Sequence, residues 1–239
     1  MRGNPPSIVK TFFRVSMQDS VFVRLQLLPL FQGISKEELL RMLERAKFNF
    51  VTAETGEILF ERGTAATQLV YILSGKFTTK RIFSEELQVV EEFEGPMLFQ
   101  PECLLGPSPT WRHTLVATTD VQLLLISKQD TLNHLMDFLT FRMAMLNYLC
   151  GVTEKEQVFL VKPTASTLTG KIIDYFSRRV TSVSGKKTFK VGMKPLATRL
   201  ATSRLAVSRC LNDLEQMGVL SLGRETITVN DFQQLLAMR

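Results

Sequence analysis

The chain has 239 residues, a length that suggests two modules. Of these residues, 45% are hydrophobic and 22% are charged, which is ordinary for a globular protein. The sequence contains no run of about eighteen apolar residues, which is the length needed to span a bilayer, and residues 1–10 lack an export signal. A bacterial, cytoplasmic setting is therefore expected. The net charge of +6 is uneven, because residues 161–239 carry 13 Lys and Arg against 5 Asp and Glu. Such a basic module is typical of a protein that contacts a phosphate backbone, although a solvated basic face would look similar.

The N-terminal module is predicted to be mostly β with helical flanks. Ser35, with Glu three residues later, forms a capping box that opens an amphipathic helix at residues 35–46. Short apolar segments separated by turn residues then fill residues 51–128, and this rhythm indicates an all-β sandwich or barrel. These segments are 57–61, 69–73, 88–93 and 121–126. The turns between them contain glycines that tolerate positive φ, namely Gly56, Gly63 and Gly75.

A heptad pattern predicts one long helix at residues 130–159. The repeating residues are Leu132, Leu139 and Leu146, with Met136, Met143 and Cys150 as a companion series. Either this helix packs only on its own domain, or these six residues form a dimer interface; the second interpretation is favoured. Residues 161–169 include Pro163 and several Ser and Thr, and they resemble a linker to the next module.

The C-terminal module is predicted to contain a helix-turn-helix. A helix at residues 168–180 and a strand at 188–191 come first, and a second helix opens at 195–200 with Pro in its first turn. After a tight turn, residues 202–217 form a third helix, one face of which is apolar and must be buried. That face holds Val207, Cys210, Leu211, Leu214 and Met217.

The opposite face of this third helix has the composition of a DNA-reading surface. It carries Leu205, Ser208, Arg209, Asn212 and Gln216, with Arg204 on its flank. These residue types can contact guanine edges, thymine methyls and phosphates when a helix enters a major groove. Thr202 or Ser203 can cap the helix, which leaves free N–H groups and the positive end of the helix dipole for a phosphate.

Two strands at residues 219–222 and 226–229 follow, and they form a wing with Arg224 at its tip. The helix-turn-helix, the wing and the basic charge together predict a winged helix that binds DNA. From about residue 23 to residue 236, the chain resembles the Crp/Fnr family of bacterial transcription regulators. The match is best in the segment T-S-R-L-A-V-S-R-C-L-N-D-L-E-Q-M-G at residues 202–218, and the three-glycine pattern of the β segments supports it.

The resemblance implies an α+β fold in three parts. These are a double-stranded, cyclic-nucleotide-binding-like β-roll with helical flanks (1–128), a dimerisation helix with a hinge (129–162) and a winged helix-turn-helix (163–239). It also implies a homodimer that binds a palindromic operator in duplex DNA, with RNA polymerase as a candidate further partner. The residues expected at the DNA are Ser203, Arg204, Leu205, Ser208, Arg209, Asn212 and Arg224.

Two departures from the family pattern bear on specificity. Members that recognise the best-known operator carry Glu at the position of Leu205, which cannot accept a hydrogen bond from cytosine, so a different operator is expected. Members that bind cyclic AMP use a Gly-Glu pair with Arg and Ser about ten residues later. The nearest match in this chain is Pro101 and Glu102, followed by Arg112, His113 and Thr114. Pro101 has no N–H for the cyclic phosphate, and His113 replaces a small hydroxyl residue, so an unidentified small ligand, or none, is favoured over cyclic AMP.

No metal, cofactor or catalytic site is predicted. Cys103, Cys150 and Cys210 lie far apart, are interpreted as buried thiols, and lack the clustering that an iron–sulfur cluster needs. The two histidines, His113 and His134, would give a haem or metal sensor only a weak set of ligands. Hydrolase, metalloprotease and P-loop motifs are missing, so an enzyme is not expected. The alternative function is a ligand-sensing module whose basic domain contacts protein or RNA, but that domain has few aromatic residues for base stacking.

Overall fold

The computed structural model describes residues 18–161 and 165–239, with side chains at 22–154 and 165–239. The described residues fall into two compact units. Unit 1 contains the chain up to Phe77 together with Glu94–Glu154, and unit 2 contains Thr78–Phe93 together with the chain from Lys155 onward. Two predictions concern residues outside the described ranges. They are the absence of an export signal at residues 1–10 and the linker residue Pro163. None of the described helices has the length and apolarity needed to cross a membrane.

The strands are β1 Phe48–Ala53, β2 Ile58–Phe60, β3 Gln68–Ser74, β4 Lys76–Ser84, β5 Leu87–Glu94, β6 Met97–Phe99, β7 Thr114–Ala117, β8 Val121–Ser127, β9 Lys187–Val191, β10 Ser221–Gly223 and β11 Thr226–Val229. The helices are α1 Gln18–Gln26, α2 Lys36–Arg45, α3 Pro101–Leu105, α4 Lys128–Asn133, α5 Leu139–Val161, α6 Leu168–Ser177, α7 Met193–Arg199, α8 Arg204–Gln216 and α9 Phe232–Leu236, with a 3₁₀ helix at Leu135–Asp137.

Unit 1 contains an antiparallel sheet in the order β1-β8-β3-β6 and a second antiparallel pair, β2 and β7. The four segments predicted as strands are confirmed as β2, β3, β5 and β8, whereas β1, β4, β6 and β7 were not predicted. Ser35 caps α2, because its Oγ accepts a hydrogen bond from the Glu38 N–H at 3.2 Å. Gly75 takes a φ of 101° after β3, where a Cβ would clash with the Asp120 carbonyl.

The predicted continuous helix at residues 130–159 is wrong, since the structure has α4, the 3₁₀ helix and α5 in succession. The break at residues 134–138 has a packing reason. Leu135 and Phe141 are both fully buried in the core of unit 1, whereas six positions along one continuous helix would turn them about 120° apart. The long helix is therefore confirmed only from Leu139 onward.

Unit 2 is built on an antiparallel sheet in which β9 pairs with β11 on one side and with β5 on the other. Phe176 of α6 stacks on Phe189 of β9, with ring centroids 4.1 Å apart. Val207 and Leu211 of α8 are buried in the same core. The place of β5 in this unit was not predicted, because the sequence pattern assigned residues 88–93 to the N-terminal β module.

Candidate nucleic-acid interface

The helix-turn-helix in unit 2 consists of α7, a tight turn and α8. Ala201 takes a left-handed φ of 51° in that turn. Ser203, and not Thr202, is the N-cap of α8, and its Oγ accepts a hydrogen bond from the Ala206 N–H at 3.1 Å. The first turn of α8, beginning at the exposed Arg204, therefore presents the positive end of the helix dipole at the surface.

The predicted buried face of α8 is confirmed for most of its members. The fully buried residues of this face are Val207, Leu211 and Leu214. Cys210 is half-buried, with its Sγ 3.3 Å from the hydroxyl of Thr169. Met217, also predicted to be buried, is 61% exposed, because α8 ends one residue earlier and the chain turns at Gly218 with a φ of 74°.

The opposite face of α8 is uncovered. Four of its predicted DNA-reading residues are exposed, namely Arg204, Leu205, Arg209 and Asn212, while Ser208 is half-buried. Leu205 is 60% exposed, which is a large apolar area to leave in water at the start of a polar face. This combination of side chains can donate to guanine through Arg, pair with adenine through Asn and contact a thymine methyl through Leu.

The wing is tied to both α8 and β9. Arg224 and Glu225 form the exposed turn between β10 and β11, and Glu225 takes a φ of 57° there. The Leu222 N–H donates to Glu215 Oε1 of α8 at 2.7 Å, and the Val191 N–H donates to the Glu225 carbonyl at 2.9 Å. The wing tip with Arg224 is thus held beside the outward face of α8.

A cleft of about 350 Å³ lies where the wing meets the starts of α7 and α8. Lys194 and Arg204 line it with positive charge, and Glu225 lines it with negative charge. Lys194 is exposed in the first turn of α7. Sequence reasoning missed it, because a lysine just before Pro195 carried no distinguishing signal. Lys194 thus adds a second positive charge beside Arg204 at the start of α8.

The residues expected to hold an effector lie at one corner of unit 1, around the start of α3 and of β7. Gln100, with a φ of 43°, accepts a hydrogen bond from the Arg112 N–H at 3.2 Å through Oε1, and its Nε2 donates to Nδ1 of His113. His113 is only 3% exposed. The other predicted residues of this corner are Arg112, which is exposed, and Glu102 and Thr114, which are half-buried. Sequence reasoning missed Gln100, which links two of them.

Aromatic side chains pack behind this corner. Trp111 is 3% exposed, and its ring centroid lies 4.6 Å from that of Phe60 and 5.8 Å from that of Phe99. Burial raises the pKa of the Cys103 thiol, and the nearby Glu102 carboxylate adds to the rise. Among the described residues, His, Cys, Asp and Glu form no group of three or more that could hold a metal.

Comparison with known proteins identifies two domains in the chain. A model described as the cyclic nucleotide-binding domain matches residues 50–137, and a model described as the Crp-like helix-turn-helix domain matches residues 171–238. Together the two models span more than half of the chain. The chain belongs to the Crp/Fnr family of transcription regulators. The predicted α+β fold and the predicted DNA-binding helix-turn-helix are therefore confirmed.

Solved structures of other transcription regulators are similar to this Crp/Fnr-family protein. The catabolite activator protein of Thermus thermophilus is 22% identical, with a TM-score of 0.48 and coverage of 88% of this chain and 97% of that chain. DNR from Pseudomonas aeruginosa is 21% identical, with a TM-score of 0.45 and coverage of 96% of this chain and 100% of that chain. A search of curated protein sequences gives no match.

The regulator leaves an apolar stripe uncovered on α5. The stripe, as the described residues define it, consists of Leu139, Met143, Leu146 and Cys150. The opposite face of α5 packs on unit 1 through the fully buried Phe141 and Met145. The stripe thus keeps the helical spacing of the predicted dimer seam, and one helix both covers its own unit and exposes an apolar face.

Two members of the predicted seam do not join that stripe. Leu132 lies on α4, and Met136 lies on the 3₁₀ helix and packs against the core of unit 1. Both precede α5, Leu132 before the break and Met136 within it, so the helical phase of α5 does not extend to them. The interpretation of all three cysteines as buried thiols is also wrong, because Cys150 is exposed on the stripe.

Proposed function

We propose that this regulator is a homodimer that recognises a palindromic operator through two copies of α8. The observation that carries the proposal is the uncovered face of α8, on which Arg204, Leu205, Arg209 and Asn212 stand exposed around a capped helix start. Arg224 in the wing would contact the phosphate backbone beside the groove, and Ser203 and Ser208 would approach DNA near the start of the helix. Two-fold symmetry would then place the half-sites about one helical turn apart.

The apolar stripe on α5 supports the dimer. Leu139, Met143, Leu146 and Cys150 follow one another at spacings of four, three and four residues, which places them on one side of the helix. Facing the same stripe of a second copy would remove this apolar surface from water. Leu132 and Met136 are not part of this contact, because they precede α5.

The corner around Gln100 supports a regulator that does not depend on cyclic AMP. Pro101 offers no N–H, the Arg112 N–H already donates to Gln100, and the buried His113 stands where cyclic-AMP-binding members have a small hydroxyl residue. Trp111 fills the space behind them. An unidentified small molecule remains the candidate effector.

The remaining assignments follow from this role. Sensing is assigned to residues 1–128, dimer formation and a hinge to 129–162, and DNA binding to 163–239. The protein would act without enzymatic activity in the bacterial cytoplasm, where the DNA lies, and RNA polymerase is its candidate partner there.

Selection of bound duplexes from a random pool by the purified protein tests this function. An inverted repeat with half-site centres about 10 base pairs apart is expected, and its affinity should fall steeply with added salt. Leu146→Glu should convert the dimer to a monomer in analytical ultracentrifugation, while Asn147→Glu on the same helix should not. Enrichment of a single half-site, or salt-independent binding, would contradict the proposal.

A further inference from the structure

The β4–β5 hairpin belongs to unit 2, although the chain continues into unit 1 at both of its ends. Thr78–Phe93 lie in the same compact unit as the helix-turn-helix. β5 pairs with β9 over five antiparallel residue pairs, the last of which is Glu91 opposite Lys187. Leu87 and Val89 of β5 are buried in the core of unit 2. The hairpin therefore contributes both a strand and core residues to the DNA-binding unit.

A buried ion pair fastens β5 to this sheet. Lys187 Nζ lies 3.2 Å from Glu91 Oε1, and the two side chains are 0% and 1% exposed. The Glu91 carboxylate also accepts hydrogen bonds from the Thr181 N–H at 3.0 Å, from the Thr181 hydroxyl and from the Ser182 N–H at 3.3 Å. Burial lowers the pKa of Lys187, and Glu91 opposes that shift. One carboxylate on β5 thus holds both β9 and the segment after α6.

This pair is better suited to fixing the register of β5 than to adding stability. Taking two charges out of water is unfavourable, and apolar residues of similar size in their place are often as stable or more so. A slip of β5 by two residues along β9 would keep the same faces but would bury Glu91 and Lys187 without each other. Docking of the hairpin is therefore specified in one register.

β9 connects the docked hairpin to the DNA-binding surface. The chain passes from β9 through Gly192 into α7, the first helix of the helix-turn-helix. At the end of β9 the Val191 N–H donates to the Glu225 carbonyl in the wing at 2.9 Å. A displacement of β5 would therefore reach both α7 and the wing through β9.

We propose that the β4–β5 hairpin is a transmission element that pre-organises the DNA-binding surface, with the Glu91–Lys187 pair as its latch. Docked β5 holds β9, and β9 holds α7 and the wing in position for DNA. Release of the hairpin turns β9 into an edge strand and loosens that surface, so that binding must bear the entropy of ordering it. The inference rests on the proposed DNA-reading role of α8 and the wing.

Lys187→Met in the full-length protein opens the latch while keeping an unbranched side chain of similar length. Its matched control is Glu92→Gln, because Glu92 lies next to Glu91 and forms a half-exposed pair with Lys186 at 2.9 Å, and such exposed pairs contribute little. Lys187→Met should speed amide hydrogen exchange in β5 by at least about tenfold. It should also weaken binding to the selected duplex and to a mixed-sequence duplex by at least about tenfold. Glu92→Gln should change neither.

A disulfide across the two strands provides the rescue. Gln88 lies directly opposite Lys190 in the β5–β9 register, so Gln88→Cys with Lys190→Cys can bridge them. Added to Lys187→Met and oxidised, the bridge should restore slow exchange and DNA affinity relative to the reduced form of the same protein. If Lys187→Met does not fold, Glu91→Gln, which keeps an acceptor for Thr181, gives the same comparison.

Two results would overturn the proposal: β5 amides that stay protected in the latch variant, or full DNA affinity after β5 has been released. A wild-type protein that prefers no duplex sequence would instead refute sequence-specific recognition. The exchange data and the mixed-sequence duplex would still decide the role of the hairpin, so the two failures are distinguishable.

Discussion

Arg209→Ala separates recognition of bases from contact with phosphates. Arg209 is exposed on the outward face of α8, one helical turn after Leu205, so its removal should leave the core and the free energy of unfolding unchanged. A bidentate contact to guanine contributes about 1–3 kcal/mol of discrimination at each half-site. The proposed dimer presents Arg209 twice, so the loss amounts to about 2–6 kcal/mol, or about thirtyfold to about twenty-five-thousandfold in affinity for the operator.

The assay is competition binding measured by fluorescence anisotropy, with the selected duplex and with duplexes in which each half-site guanine is replaced in turn. Arg209→Ala should lose affinity only for the selected duplex and should become indifferent to one base position. Arg224→Ala in the wing is the control, since loss of a phosphate contact weakens binding to every sequence and lowers the salt slope by about one per protomer. Equal loss on all duplexes would assign Arg209 to a phosphate and refute its role as a base reader.

Three further predictions concern the folding of unit 2, each measured by thermal or acid unfolding. Ala201→Gly should stabilise the protein by up to about 1 kcal/mol, because glycine adopts the left-handed φ of this turn without strain. Ser203→Ala should destabilise it by about 1 kcal/mol through loss of the α8 cap. The hydrogen bond from Arg239 lowers the pKa of Asp174, so this carboxylate stabilises the fold above its unfolded pKa of about 3.9 and loses that effect as pH falls through its folded pKa. Asp174→Asn should therefore reduce the dependence of the free energy of unfolding on pH in this acidic range. An unchanged pH dependence would contradict the assignment.

The outward face of α8 could be predicted because helical phase is a local property. Val207, Leu211 and Leu214 repeat at helical spacing, so the phase alone separates them from Arg209 on the other side. The same reasoning failed at Met217, because a phase holds only as far as the helix extends. Reasoning from phase also failed in the heptad series. The pattern predicted one continuous helix, but burial of Leu135 in the core of unit 1 interrupts it.

The hairpin in unit 2 could not be predicted in this way. Its pairing with β9 joins residues far apart in the sequence, and no local pattern states which strand will be the neighbour. Lys187 has the residue type of a surface position, and its burial is explained by the opposing Glu91, which the local sequence does not indicate. Gln100 was missed for the same reason, because its role depends on Arg112 and His113 across a turn.

Leu205 restricts the expected base sequence of the operator further than membership of the family does. An exposed leucine on a polar helix face gains free energy only where a partner removes it from water, and the apolar group that a major groove offers is the thymine methyl. Arg209 follows it by one helical turn, and Arg204 precedes it directly. We therefore expect a half-site in which thymine stands close to guanine, and we expect no preference for cytosine at the position of Leu205, because that side chain has no acceptor for the cytosine amino group.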